Sequence, residues 1–301
     1  MVVSKNQNIE LQVGTGDVDP SPGVNFGWTA PISDAEFDYF RGIAHTEAGI
    51  SIADFKRNMV FRRVSKRIRT LGLKDVAAYC DYLKSDHWER ERQPLINALT
   101  TNKTSFFRED HHFTYLQNMY FPEFRKQAAK NGNRRLRIWS AGSSSGEEPY
   151  SIAMTLHDSI DDLGNWDARI LATDIDTEMI DHSKRGVYLN EFLDDIPDTL
   201  QTKYTKPDIP GHFRLDQRLK QLITFKPLNL LESWPMKGPF DMIFCRNVVI
   251  YFDKPTKQVL FDRFAEILKP DGLLMIGHSE SLFKVTKRFK MVGQSVYQRT
   301  E

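Results

Sequence analysis

Three things are scarce in this chain: cysteine, uninterrupted apolar sequence and net charge. Only two cysteines occur in 301 residues, Cys80 and Cys245. That excludes a disulfide scaffold, and both sit in apolar patterns that predict buried thiols. No apolar run exceeds the length of VVIYF, far short of the roughly 20 residues a spanning helix needs. No cationic start followed by an apolar stretch marks a secretory leader, so a cytoplasmic, membrane-free protein is expected. With 41 basic residues against 40 acidic ones, the composition carries no nucleic-acid or membrane signature. Electrostatic recognition must therefore be local.

Residues 1–30 are polar and rich in Gly, Asp and Asn, which predicts a disordered leader. Order is expected from Ser33, which makes a capping box with Glu36 ahead of Phe37, Phe40 and Ile43. From there to residue 104 the periodicity is helical throughout, predicting a small all-helical N-terminal domain. Its most informative segment is DFKRNMVFRRVSKRIRTLG, with Asp54 and Gly72 as caps and Phe55, Met59, Val64, Ile68 and Leu71 on one apolar face. The other face carries Lys56, Arg57, Arg62, Arg63, Lys66, Arg67 and Arg69 with no acid between them. Seven like charges repel one another unless a partner neutralises them, so this face is expected to dock an acidic partner.

A polar hinge, TTNKTSFFREDHHF, places a linker at residues 105–120 and leads into a helix at about 113–130, after which an α/β alternation begins at 135 within a domain spanning 121–301. Strands are predicted at 135–141, 169–174, 222–228, 240–246 and 272–277, with helices between them. Two short strands around Gly293 close the chain. This is an α/β fold, a mostly parallel sheet with an antiparallel edge. The rhythm breaks over about residues 187–226, where HFRLD and LITFK predict a small antiparallel β-subdomain.

Chemistry should gather at RLRIWSAGSSSGEEPY, a strand, a small-residue turn and a helix start, the place where open α/β sheets bind ligands. Residues 142–146 fit the serine-nucleophile pattern G-x-S-x-G, and His278 follows in triad order. Against a hydrolase stand the lack of earlier strands, the lack of an upstream oxyanion segment, and Glu147 and Glu148 beside any developing oxyanion. The same two acids oppose a pyrophosphate at the helix N-terminus and favour a cationic adenosine ligand such as S-adenosylmethionine. Asp174, ending the next strand in LATDID, suits a ribose, and Arg246 and Asn247 end a later strand over the same crevice. The pair His111 and His112 lacks a companion at metal spacing, so no metal is expected.

In order and spacing, TTNKTSFFRE, IWSAGSSSGEEPYSIA, ATDID, NLLE, PFDMIFCRNVVIYFDK and GHSESL resemble the chemotaxis receptor glutamate O-methyltransferases, the CheR family. The resemblance covers roughly residues 33–298. It implies a helical domain joined to a class I, Rossmann-like methyltransferase domain with a seven-stranded sheet and a small β-subdomain. It further implies S-adenosylmethionine as cofactor and S-adenosylhomocysteine as product. Matching the family's cofactor contacts are Asn102, Thr104, Arg108, Glu148, Asp174, Asn229, Leu230, Arg246 and Asn247, with Gly142 in the loop itself. Arg108 and Tyr251 match the two positions beside the transferable methyl group.

The chemistry agrees with the residues. A glutamate carboxylate, with an ordinary pKa of about 4.3, is already an anionic nucleophile at neutral pH, and no general base is required. The implied partner is the cytoplasmic helical bundle of chemoreceptors, for which the basic helix is suited. Relatives that bind a peptide tether at the receptor C-terminus are implied to have a longer, glycine-rich turn in the β-subdomain. Here the stretch is KPDIPGHF, with only Gly211, so a monomeric enzyme working without the tether is expected. Two other readings are weighed: a nucleic-acid methyltransferase, opposed by the near-zero net charge and the absence of proline after Asn247, and a non-catalytic S-adenosylmethionine-sensing adaptor.

Overall fold

A computed structural model describes residues 32–300, and the leader expected over residues 1–30 lies outside them. Four helices come first: α1 (Asp34–Ala48), α2 (Arg57–Leu71), α3 (Val76–Leu83) and α4 (Trp88–Leu99). Ser33 opens α1 with the expected capping box, and Gly49 closes it in the left-handed conformation. The helices bury Phe37, Phe40, Val60, Val64, Ile68, Tyr79 and Leu95. Among these apolar groups lies the Glu91 carboxylate. It accepts from Arg67 Nε and Nη2, both at 2.8 Å, and from the Tyr79 hydroxyl at 2.7 Å. A buried carboxylate persists only when charge and lone pairs are met, so Arg67 is committed to the interior.

Phe55, expected on the apolar face, is instead 84% exposed. Residues Asp54–Lys56 form a separate 3-10 turn, and α2 begins only at Arg57. The tighter winding, 3.0 rather than 3.6 residues per turn, carries Phe55 off the line set by Val60, Val64 and Ile68.

Next come α5 (His111–Tyr115) and α6 (Phe121–Asn131), joined by a π-helical turn at Leu116–Tyr120. Helix thus begins at His111, inside the stretch read as a linker. The chain continues through β1 (Arg135–Ala141), α7 (Glu147–Ser159), β2 (Asp167–Asp174), α8 (Thr177–Arg185), β3 (Val187–Leu189), α9 (Asp198–Tyr204), β4 (Thr205–Pro207), β5 (His212–Leu215) and α10 (Gln217–Leu222). It closes with β6 (Ile223–Pro227), β7 (Phe240–Cys245), α11 (Lys254–Ile267), β8 (Leu268–Ile276), β9 (Phe289–Gly293) and β10 (Val296–Arg299). Cys80 and Cys245 are buried free thiols.

Seven strands form one sheet in the order β6-β2-β1-β7-β8-β10-β9. The pairs among β6, β2, β1, β7 and β8 are parallel, and β10 runs antiparallel to both of its neighbours. In β1, Leu136 and Ile138 face one core, shared with Ile152 and Ala153, while Trp139 and Ala141 face the other, shared with Ile243 and Phe264. A second sheet, β3-β5-β4, is antiparallel and lies in the chain between α8 and β6. The run LITFK does not belong to it: Ile223 and Phe225 pair with Ile170 and Ala172 of β2, at the edge of the main sheet.

Strand order reverses between β1 and β7, so the crevice at their carboxyl ends is the topological switch point. The helical layer is tied down beside it. Gln93 Nε2 donates to the Ile175 carbonyl at 2.8 Å, and the Ser51 amide donates to the Tyr251 carbonyl at 2.8 Å.

Candidate active site

The turn after β1 is shaped by its neighbours. Gly142 has φ of 83°, and the amides of Gly142 and Ser143 both donate to the Thr173 carbonyl. A Cβ on Gly142 would stand 2.4 Å from Val248 Cγ2, so close approach as well as conformation requires glycine. Ser144, at φ of 48°, donates its amide to Asp174 Oδ2 at 2.7 Å, and the Asp176 amide donates to Asp174 Oδ1 at 2.9 Å. Burial nevertheless pushes the Asp174 carboxyl up to about 6, because two amides do not replace bulk water. Asp176 is the cap of α8, taking the amides of Glu178 and Met179, and its other oxygen accepts from Asn102 Nδ2 at 2.7 Å.

The two acids opening α7 diverge. Glu148 accepts from the Ser140 hydroxyl at 2.7 Å and faces Arg246 Nη1 at 3.3 Å. Burial raises its pKa, with Arg246 opposing. Glu147 turns away from the cleft onto the Ser145 hydroxyl, and burial without a cation pushes it up to about 7. Arg246 is sealed in. Its guanidinium faces Glu148 and also Glu109 at 3.4 Å, and it donates to the main-chain carbonyl of Arg108.

One cleft gathers the residues expected in the site. Asn102, Thr104 and Arg108 come from the hinge, Gly142, Glu148 and Asp174 from the first two βα turns, Asn229 and Leu230 from the turn after β6, and Arg246, Asn247 and Tyr251 from the turn after β7. Not every side chain is turned to a ligand. The Asn102 amide is engaged by Asp176, and Asn229 Nδ2 donates to the Glu47 carbonyl at 2.7 Å. Sequence reasoning missed the wall that the helical layer supplies, Ile50 to Ile52 and Met59. It also missed Glu280, whose carboxylate accepts the amides of Asn247, Ile250 and Gly277 and so fixes the turn after β7. The signal for Glu280 was the acid in GHSESL, three residues after a glycine at a strand end.

The charges of the basic segment 56–69 are divided among several surroundings. Lys56 lines the cleft, with Nζ 5.4 Å from the centre of the Tyr251 ring. Arg57 pairs with Asp34 at 2.6 Å and stacks on Phe37, and Arg63 donates to the carbonyls of Leu99 and Thr100. Arg67 is held by Glu91. Lys66 and Arg69 are exposed, and Arg62 is half-buried.

The serine-nucleophile pattern does not assemble. Ser144 Oγ donates to the Asn102 carbonyl at 2.8 Å, whereas His278 Nδ1 lies 2.8 Å from Glu109. The reading that His111 and His112 lack a companion ligand is also corrected, because Glu109 brings a carboxylate within 4.8 Å of their ring nitrogens. That carboxylate already faces Arg246, whose fixed positive charge opposes a cation there.

Comparison with known proteins agrees with this geometry. Residues 35–100 match the family described as CheR methyltransferase, all-alpha domain, and residues 102–298 match CheR methyltransferase, SAM binding domain. The chain belongs to the CheR methyltransferase family. The chemotaxis protein methyltransferase of Escherichia coli (strain K12) is 44% identical over 271 residues, 88% of this chain and 91% of its own. That of Salmonella typhimurium is 43% identical over 271 residues, 88% and 90% of the two chains.

S-Adenosylmethionine suits the CheR cleft by the chemistry of its donors. Two carboxylates and apolar walls fit a cationic nucleoside, and the helix N-terminus that would take a phosphate is filled by Glu147 and Glu148. Asp174 and Glu148 are the two carboxylates that line the cleft. No helix among the described residues is long and apolar enough to cross a membrane.

Proposed function

We propose that this enzyme methylates glutamate side chains of chemoreceptors from the cytoplasm, converting carboxylates to methyl esters. The observation that carries the proposal is that Arg108 and Tyr251 line the same cleft as Asp174 and Glu148. When bound, S-adenosylmethionine supplies an activated sulfonium methyl, so the protein's work is orientation and charge management. Asp174 binds the ribose, Glu148 the ammonium end, and Asn102, Thr104, Gly142, Asn229, Leu230, Arg246 and Asn247 complete the cofactor side. Arg108, permanently charged and fork-shaped, holds the incoming carboxylate. Tyr251 closes the site and directs an acceptor oxygen. Ile52, Met59, Leu230 and Phe252 keep the cleft poor in water, which strengthens each of these interactions.

The test is transfer of labelled methyl groups to receptor-containing membranes. Arg108→Ala is expected to lower kcat by about 100-fold or more, with S-adenosylhomocysteine affinity kept to about fivefold. Near-normal methylation by that variant would overturn the assignment of Arg108. No transfer by the wild-type protein would favour the adaptor reading.

The substrate is the receptor helical bundle, taken by the monomeric enzyme without a C-terminal tether. Supporting this, β4 and β5 are joined by the short turn 208–211, pinned by the Asp208 amide donating to the His212 carbonyl, by the His212 amide donating to the Ile209 carbonyl and by the Arg214 to Asp208 ion pair. Calorimetric titration with the tether peptide is expected to give no heat of binding, and a saturable isotherm would overturn it.

A further inference from the structure

Arg108 sits between two strained residues. Phe107 has φ of 49° and Glu109 has φ of 55°, values that non-glycine residues rarely adopt. Each such position costs stability and persists only where its surroundings over-determine it. The turn is held at each of its three residues, and the Arg108 guanidinium donates from Nη1 to the Lys103 carbonyl at 2.8 Å. The Phe107 amide donates to Ser151 Oγ at 3.0 Å, and its ring packs edge-on against Phe113. The Arg108 carbonyl is taken by Arg246.

The third hold is the Glu109 carboxylate, and it gathers the most. It accepts from the His278 amide at 3.2 Å, from His278 Nδ1 at 2.8 Å and from Asn247 Nδ2 at 3.3 Å, and it faces Arg246 at 3.4 Å. These partners belong to the turn after β7 and the turn after β8. One carboxylate therefore ties the hinge carrying Arg108 to the end of β7, which lines the cleft, and to the end of β8 beside it. Burial alone would raise the acid, but His278, Arg246 and Asn247 outweigh it and bring it down to about 2, so the clamp stays charged at any physiological pH. Asn247 is itself at φ of 58°, a second strained turn held by the same group.

We infer that Glu109 is a positioning residue, locking the strained Phe107–Glu109 turn so that the Arg108 guanidinium is aimed into the cleft before either substrate arrives. The inference rests on the reading of Arg108 as the acceptor-side group. Glu109 touches no reacting atom, and its effect should appear in the acceptor step rather than in cofactor affinity.

The test compares Glu109→Gln, Glu109→Gly and Arg108→Ala. The amide variant keeps the shape and loses the charge, and the glycine variant relaxes the backbone and loses the carboxylate. Both are expected to lower kcat at least about tenfold, with the Kd for S-adenosylhomocysteine held to about threefold. In the cofactor-free protein, amide hydrogen exchange over residues 104–110 should quicken by a similar factor. Should Glu109→Gln melt too low to assay, His278→Ala removes one exposed clamp partner, and it should quicken the same amides with a smaller loss of kcat. Unchanged exchange, or a kcat that falls only in step with cofactor affinity, would overturn the inference. Full activity in Glu109→Gln beside an inactive Arg108→Ala would overturn the inference alone, whereas full activity in Arg108→Ala would overturn the reading of Arg108.

Discussion

The side-chain amide of Asn229 donates to the main-chain carbonyl of Glu47 at 2.7 Å, joining the turn after β6 to the last turn of α1. Asn229 lies on the cleft, so the helical layer helps to form the wall against which a cofactor packs. One hydrogen bond of this kind contributes about 1 kcal/mol, and its loss also frees the turn. Asn229→Ala is therefore expected to weaken S-adenosylhomocysteine binding about five- to tenfold by calorimetry. An unchanged Kd would mean that the join is incidental to the cleft.

Much of this arrangement was legible in the sequence. The unit from β1 to α7 was clear because alternation, a small-residue turn and a helical period follow one another within 25 residues of chain, from Arg135 to Ser159. Asp174 and Arg246 were legible for the same reason, as polar groups where apolar strands stop. The loop from Ile50 to Ile52 was not, because its role depends on how the helical layer docks, and no local period encodes docking. Arg63 and Arg67 look like surface charge until Leu99, Thr100 and Glu91 are brought against them. Phe55 was misplaced because a helical period was extended through a 3-10 turn.

Gly142 and Val248 offer a sharper test of the turn. Gly142→Ala meets both an unfavourable φ of 83° and a contact of 2.4 Å, and relief of one leaves the other. The single variant should lose cofactor binding by about 100-fold, consistent with about 2–3 kcal/mol of strain and overlap. Adding Val248→Ala should recover part of that loss, giving a coupling of about 1 kcal/mol in the double-mutant cycle. Additive effects would show that the backbone conformation alone matters.

Acidity should act on folding and on cofactor binding with opposite signs. Asp174 and Glu147 are raised from 3.8 and 4.5 to about 6 and about 7 by burial, so the folded protein holds their protons where the unfolded chain has released them. Their contribution to stability is full below about pH 4 and is lost as pH rises through about 6 for Asp174 and about 7 for Glu147. Glu147→Gln should accordingly raise Tm at pH 8 and leave it nearly unchanged at pH about 4. Binding runs the other way, since a ribose needs Asp174 ionised. The Kd for S-adenosylhomocysteine should be flat above about pH 7 and rise up to tenfold per unit well below about pH 6. Asp174→Asn should flatten that profile, and a profile that kept its acidic limb in this variant would assign the limb to another group.

The division of charge on α2 can be separated experimentally into folding and docking. Glu91→Ala leaves the Arg67 guanidinium and the Tyr79 hydroxyl without their shared acceptor in a largely buried setting. It should cost about 2–4 kcal/mol in urea unfolding, with binding of S-adenosylhomocysteine unaltered below the transition. Lys66→Glu changes an exposed side chain on the same helix and should leave unfolding within about 0.5 kcal/mol. Its effect belongs to the acidic partner: KM for receptor membranes should rise severalfold at low ionic strength. That difference should fade as salt shortens the screening length toward about 3 Å near 1 M. Equal KM values at low salt would reduce Lys66 to a solvated surface charge and move receptor docking to the rim of the cleft, where Lys56 lies.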